Sequence, residues 1–312
     1  MPQCYRPIWV REQRPDRRRH AQNANKKLDG ILWACIDIVL VQSLWFLHTM
    51  PANIKEKIKH LLQKVYFLYA RDLDVSAGDG PIVVIAPHAD DETLGCGATI
   101  ARLRATGRRV RITIVTDGAA SVSANSVEAN SIVDLRHKEA VRAAEILGVA
   151  RKDVIFLNIP DGNAAAHADE IVSALAGIIR ESAPAHIFSP YGHDLHPDHR
   201  AVAAAVNRLR RNGVIVCPVY EYPVWFWPRI AFLHLLFPFR LARLRRIATD
   251  GFLARKRQAI EGYRSQYDGL NRANGNFVFP PGFVELFLTP HEIFFEQKPD
   301  HPASKTVAPR ES

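Results

Sequence analysis

Sulfur is what this chain has least of. Its 312 residues include four cysteines, Cys4, Cys35, Cys96 and Cys217, far apart and with no C-x-x-C pair. That spacing indicates neither a disulfide framework nor a thiolate zinc site, and it fits a reducing compartment. Methionine is scarcer still, at Met1 and Met50 only, so translation from Met50 would remove residues 1–49. There is no internal repeat and no basic stripe interleaved with aromatics, which argues against a nucleic-acid partner. Apolar residues, at 47%, are ample for a buried core in one large or two ordinary domains.

The formal charge of +9 is local rather than general. Residues 1–30 carry eight basic and three acidic side chains, and residues 240–257 carry seven basic and one acidic, leaving the rest near neutral. Two basic patches on a neutral body point to an anionic surface, such as membrane phospholipid or an acidic glycan.

Residues 31–50, ILWACIDIVLVQSLWFLHTM, are as long as a membrane-spanning helix, and the basic run before them would stay cytoplasmic. Asp37 near the middle would cost roughly 2.5–3.5 kcal/mol in a lone span, so the expectation is a helix lying in the membrane interface. Next, Ile54, Ile58, Leu61, Leu62, Val65 and Leu68 recur at helical spacing, with Lys55, Lys57, Lys59 and Lys64 on other faces. That pattern suits either an interfacial helix or one packed on the domain. A protein peripheral to the cytoplasmic face of a membrane is the resulting expectation.

From Gly80 the pattern turns regular. Candidate strands are 82–86, 110–115, 154–159, 187–189 and 214–219, with helical patterns at 94–105, about 131–147, 168–182 and 198–211. Alternation of this kind implies right-handed crossovers and a three-layer α/β/α, Rossmann-like fold with a mostly parallel sheet. Ligands in such sheets bind beyond the carboxyl ends of the strands. The expected division is a basic extension over 1–78, a catalytic domain over 79–298 and a tail over 299–312, rich in proline and polar residues.

Chemistry-bearing residues fall at two of those strand ends. After the first strand stands Pro87-His88-Ala89-Asp90-Asp91-Glu92, and after the fourth His193-Asp194-Leu195-His196-Pro197-Asp198-His199. Three carboxylates in a row would repel unless a cation or donors neutralised them. His88 and Asp91, three apart, can face one point in a helical turn while Asp90 is directed elsewhere. His196 and His199 repeat the spacing, with Pro197 favouring a helix start and Asp198 placed to orient an imidazole. Two histidines and one carboxylate make an open zinc site, whose bound water is acidified to a pKa of about 7. His88, Asp91 and one later histidine would complete the metal set, leaving an Asp as general base and a His as general acid. His193 is the alternative to His196. Taken singly, an Asp-Asp-Glu run is ordinarily a solvated helix start and a surface His no ligand; two such clusters at equivalent strand ends outweigh that reading.

These residues resemble the LmbE-like, or PIG-L, deacetylase family, whose signature is a strand followed by His-Pro-Asp-Asp-Glu and later His-Pro-Asp-His. The resemblance runs from Pro81 to Lys298. It takes in Leu94-Gly95-Cys96-Gly97, Thr116-Asp117-Gly118, Arg136 with Glu139, Pro160-Asp161-Gly162 and Lys256 to Gln266 with its Ser265-Gln266. Ala89 replaces the usual proline, which touches backbone rigidity more than ligation. The resemblance implies the LmbE-like deacetylase fold and one Zn2+ held by His88, Asp91 and His199. It also implies Asp90 as general base, with His196 and Asp198 stabilising and protonating the tetrahedral intermediate. Arg136 would contact a sugar hydroxyl or phosphate, or else pair on the helix surface with Glu139 or Glu128. Asp117 would shape the substrate pocket, or else cap the following turn.

The implied activity is hydrolysis of the acetamide of an N-acetylglucosamine-type sugar in a glycan, glycolipid or glycoconjugate. The alternatives are hydrolysis of another amide in an amino-sugar conjugate, or a non-catalytic glycan- or lipid-binding module. An intact Asp90 and His196 argue against the last. Expected partners are an N-acetylated amino sugar, lipid-linked in one reading, and an anionic membrane surface. For the latter, the aromatic run 220–228 leading to Arg240, Arg243, Arg245 and Arg246 reads as an interface element. Sugar stacking or a buried loop are the competing readings.

Overall fold

In the computed structural model the described residues are 51–119, 127–230, 243–267 and 278–297. The interfacial helix expected at 31–50, the residues 231–242 and the polar tail therefore lie outside them. Runs too short for helices form the main parallel part of the sheet, with β4 at its edge: β2 (Ile82–Ala86), β3 (Val110–Thr116), β4 (Val154–Ile159), β5 (His186–Pro190) and β6 (Val219–Tyr222). With β1 (Arg71–Asp72), β7 (Leu244–Ala248) and β8 (His291–Glu296) they give the order β1-β7-β8-β6-β5-β2-β3-β4. β8 runs antiparallel to both of its neighbours, and every other pairing is parallel.

The helices are α1 (Ala52–Tyr69), α2 (Asp91–Ala105), α3 (Val127–Ile146), α4 (Ala168–Ser182), α5 (Pro197–Arg211), α6 (Leu253–Glu261) and the single turn α7 (Arg264–Tyr267). Side chains alternate across a strand, and β2 shows the result. Ile82, Val84 and Ala86 join one core with Ile100 and Leu103 of α2 and Ala140 and Ala144 of α3. Val83 and Ile85 join another with Ile171 and Leu175 of α4 and Val202 and Val206 of α5. This is the three-layer arrangement expected. Fully burying each aliphatic side chain contributes about 1.5–3 kcal/mol. α2 lies so close to β6 that a Cβ on Gly95 would stand 2.3 Å from the Tyr222 ring.

The chain leaves β2 toward β3 and β4, then returns to place β5 on the other side of β2. The strand order therefore reverses between β2 and β5, and their carboxyl ends open a crevice there. Both chemistry-bearing segments start at that reversal.

Two boundaries differ from expectation. The strand read at 214–219 begins only at Val219. Gly213, at φ 71°, ends α5, and the amides of Val214 and Ile215 turn back onto Leu209 O. Ile215 is buried by that turn and Val216 is exposed. Residues 57–78, assigned to the extension by sequence, contribute to this fold. Tyr66 and Val75 are in the core, Gln63 Nε2 donates to Leu286 O at 2.8 Å, and β1 pairs with β7.

Part of the second basic patch is paired within the fold. Arg246 bonds Asp72 at 2.7 Å and Phe67 O at 2.9 Å, Arg245 pairs with Glu296, and buried Lys256 meets Glu292 at 2.7 Å. Phe226, Trp227 and Ile230 are core residues. Among its described residues the segment thus places Phe226, Trp227 and Ile230 in the core, while Arg245 and Arg246 stay partly exposed in their ion pairs.

Candidate metal-dependent active site

β2 delivers its loop to the crevice with Pro87 O tied to Thr116 at the end of β3, by the amide and the hydroxyl, each at 2.9 Å. Asp91 opens α2. Its Oδ2 lies 2.9 Å from the His88 amide, 3.1 Å from His88 Nδ1 and 3.1 Å from His199 Nε2. One carboxylate oxygen thus stands between the two imidazoles that sequence had grouped with it.

β5 delivers the second segment. His196 caps α5, its Nδ1 accepting the Asp198 amide at 3.3 Å, with Pro197 at the first helical position. Because Nδ1 accepts, the ring carries its hydrogen on Nε2. The His196 ring stands 4.6 Å from that of His88 and 5.2 Å from that of His199. His193 is exposed and packs on Tyr191, outside the cluster.

Three residues that carry this geometry were not assigned from sequence. Asp194, fully buried, accepts the Val224 and Trp225 amides at 3.1 and 3.0 Å and stands 3.3 Å from His199 Nδ1. Asp161, after β4, lies 3.1 Å from His88 Nε2. Gln266 Nε2 donates to Asp90 Oδ2 at 2.6 Å. Asp161 and Gln266 stood in motifs quoted for the resemblance, and Asp194 within the histidine motif; none had a spacing signal of its own. Asp198, expected beside an imidazole, turns its carboxylate to His88 Nε2 at 3.3 Å and to the Gly162 and Ala164 amides, rather than to the ring of His196.

Charge decides what such a cluster can hold. Burial would lower His199, but Asp91 and Asp194 carry it up to about 9. His88 is likewise raised against burial by Asp161, Asp198 and Asp91. Asp91, which burial alone would raise, is held far below the carboxylate range by His199 and His88. Burial, then His88 and His199, push His196 down to about 4. Burial and then the neighbouring Asp91 raise Asp90.

Neither ring nitrogen of His199 has hydrogen-bond geometry, although the side chain is fully buried. His88, His196 and His199, and again His88, Asp161 and Asp198, bring ligand-type atoms within 4.8 Å of one another. Buried carboxylates around imidazoles, with an imidazole nitrogen left orphaned, fit a divalent cation with mixed N and O ligands. Asp194 on His199, with Asp161 and Asp198 on His88, would be placed to orient such ligands.

The crevice holds a cavity of about 210 Å³. His88, Asp90, His196 and Arg136 form its polar side, and Leu94, Trp225, Phe279 and Phe283 its apolar wall, with Trp225 and Phe283 centroids 5.0 Å apart. Arg136 is buried and its Nε is unpartnered. A Cβ on Gly118 would stand 2.5 Å from Arg136 Cδ, so only glycine leaves the guanidinium its place. Asp117 does not line the cavity. Its Oδ1 accepts the Ala119 and Asp161 amides at 3.0 and 3.1 Å, which is the turn-capping role.

A doubly wound sheet with a carboxylate–imidazole cluster at its reversal point defines the class: an α/β fold with a site of metal-ligand type. Residues 83–209 match the family model "PIG-L: GlcNAc-PI de-N-acetylase", so the chain contains a PIG-L (LmbE-like) domain. It is 33% identical over 129 residues to an uncharacterized deacetylase, YaiS, of Escherichia coli K12, covering 40% of this chain and 64% of that protein. It is 31% identical over 152 residues to a diacetylchitobiose deacetylase of Thermococcus kodakarensis, covering 47% and 54%. The match thus spans less than two-thirds of either relative. Among solved structures, the conserved protein TT1542 of Thermus thermophilus superposes with a TM-score of 0.50 at 26% identity, over 74% of this chain and 100% of that one.

Proposed function

We propose that this protein is a zinc-dependent N-deacetylase acting on the acetamide of an N-acetylglucosamine-type sugar. The observation that carries the reading is the convergence of His88, Asp91 and His199, with Asp90 and His196 at the same cavity. His88, Asp91 and His199 would hold the zinc, which when bound polarises the acetyl carbonyl and acidifies water.

Asp90 takes a proton from the attacking water. Its raised pKa lets it hold that proton and pass it to the leaving nitrogen, which cannot depart as an anion. His196 donates Nε2–H to the oxyanion that develops on the carbonyl. The bond from the Asp198 amide to Nδ1 narrows His196 from the acid expected by sequence to a donor of one hydrogen bond. Asp198 acts as a positioning residue for His88. Arg136 faces the sugar's hydroxyl or anionic substituent, and the Trp225–Phe283 wall takes the apolar face of the ring or its aglycone.

Acetate release from a panel of N-acetylated sugars, nucleotide sugars and lipid-linked sugars by zinc-loaded protein tests the reading. Asp90→Asn and His196→Ala should each lose roughly 10²–10⁴-fold in kcat while keeping the metal. Near-normal turnover in either variant overturns its assigned role. A second element supports a membrane-side substrate: α1 exposes Leu61, Leu68 and Tyr69 beside Lys57 and Lys64, a ridge suited to anionic lipid.

A further inference from the structure

The conformation of Asp90 is unusual for its residue type. At φ 147° it lies in a region that L side chains rarely adopt, and such a backbone persists only where its surroundings over-determine it. Two contacts from one short stretch of chain supply that constraint. The Asp90 amide donates to Glu92 Oε2 at 3.2 Å, and Glu92 Oε1 is held by the Tyr263 hydroxyl and by Thr93 Oγ1 at 2.6 Å. The Asp90 carboxylate is held by Gln266, three residues beyond Tyr263.

Gln266 is itself fixed on every side. The neighbouring Ser265 gives its amide and hydroxyl to Glu139 of α3, at 2.8 and 2.6 Å. The Gln266 amide donates to Tyr263 O at 3.0 Å, and its carbonyl accepts the Phe279 amide at 2.8 Å. Its side chain is buried and lines the cavity, and Oε1 is buried without a partner. An ionised carboxylate can only accept, so with Asp90 poised as a base it is Asp90 that turns the amide nitrogen toward it. A side chain kept for packing would do better as an apolar group than with a buried unpartnered oxygen.

We infer that Gln266 is the positioning residue for Asp90: its Nε2 occupies Oδ2 and fixes the carboxylate rotamer, leaving Oδ1 as the oxygen that takes the proton. This rests on Asp90 being the base of a deacetylase. Misplacing a reacting group by about 1 Å costs on the order of 10²-fold in rate, so the rotamer matters to turnover more than to affinity.

The test compares full-length, zinc-loaded wild type, Gln266→Met and Gln266→Glu on a wild-type substrate from the acetate-release panel. The expected result for both is a kcat roughly 10- to 100-fold lower, KM within about threefold, and unchanged metal content. In the Asp90→Asn background Gln266→Met should cost nothing further, because it acts through Asp90. Retained kcat, a full additional loss in that background, or joint loss of metal and folding in both variants overturns the inference. If wild type releases no acetate from the panel, the functional reading has failed instead. The inference is then judged by the Gln266 side-chain ¹H–¹⁵N signal, identified by its loss in Gln266→Met. It should shift in Asp90→Asn; an unmoved signal overturns the inference.

Discussion

His199 is the most completely enclosed residue of the cluster. With Asp91 on one nitrogen, Asp194 on the other and no exposure, its ring is held for one task, which in the proposed site is to bind the cation. His199→Ala should therefore leave the protein with far less than one zinc per chain by elemental analysis, whereas Asp90→Asn should retain it. Asp194→Asn tests the outer partner. It keeps the shape but removes the charge that orients the imidazole, and should weaken zinc affinity by about 10- to 100-fold in a chelator competition. Equal affinity in Asp194→Asn would mean that the Val224 and Trp225 amides, not the imidazole, are what Asp194 serves. The two candidate clusters stood out in the sequence because two pairs of ligand-type residues repeat a spacing of three, while the choice of His199 over His196 came only from the family resemblance. Asp161, Asp194 and Gln266 did not stand out, because their partners come from other strands and from a turn far along the chain.

At the scale of elements, β2, β5, α4 and α5 could be read from apolar runs and helical periodicity alone. β7 and β8 could not, since Leu244–Ala248 carries two arginines and His291–Glu296 two glutamates, a polarity that suits a surface. Internal pairing resolves this. Glu292 accepts the Ala98 and Thr99 amides at 2.9 and 2.8 Å, and Lys256 Nζ, 2.7 Å from Glu292, also donates to Leu94 O at 2.7 Å. The pair ties α6 and β8 to the helix that carries Asp91. Removing one member of a buried pair strands the other's charge, so Lys256→Met should destabilise the fold by about 3–5 kcal/mol in urea unfolding. Lys256→Met with Glu292→Gln should recover part of that loss, because no net charge is left buried. A loss in Lys256→Met below about 1 kcal/mol would show that Glu292 is satisfied by the helix amides alone.

For the whole molecule, the open physical question is what the helix leading into the fold faces. Among the described residues no helix is long and apolar enough to cross a membrane. α1 docks through Gln63 and Tyr66 yet leaves Leu61 62%, Leu68 79% and Tyr69 63% exposed. Leu61, Val65 and Leu68 recur at i, i+4 and i+7, and Lys57 and Lys64 each stand four residues before a leucine, so an apolar ridge runs beside a row of cations. Truncation at Gly78 is a poor test of this ridge, because it would also remove Tyr66 and β1 from the core. Leu61→Ser with Leu68→Ser in the full chain changes only exposed side chains and should leave thermal stability nearly unaltered. On vesicles containing anionic phospholipid, wild type should float at low salt and be partly released by high salt. The double variant should bind at least ~10-fold more weakly, since each leucine withdrawn from an apolar layer costs about 1.5–3 kcal/mol when fully buried there. Equal flotation of the two would take the ridge out of the contact, and no flotation of wild type would move the substrate from the membrane surface into solution.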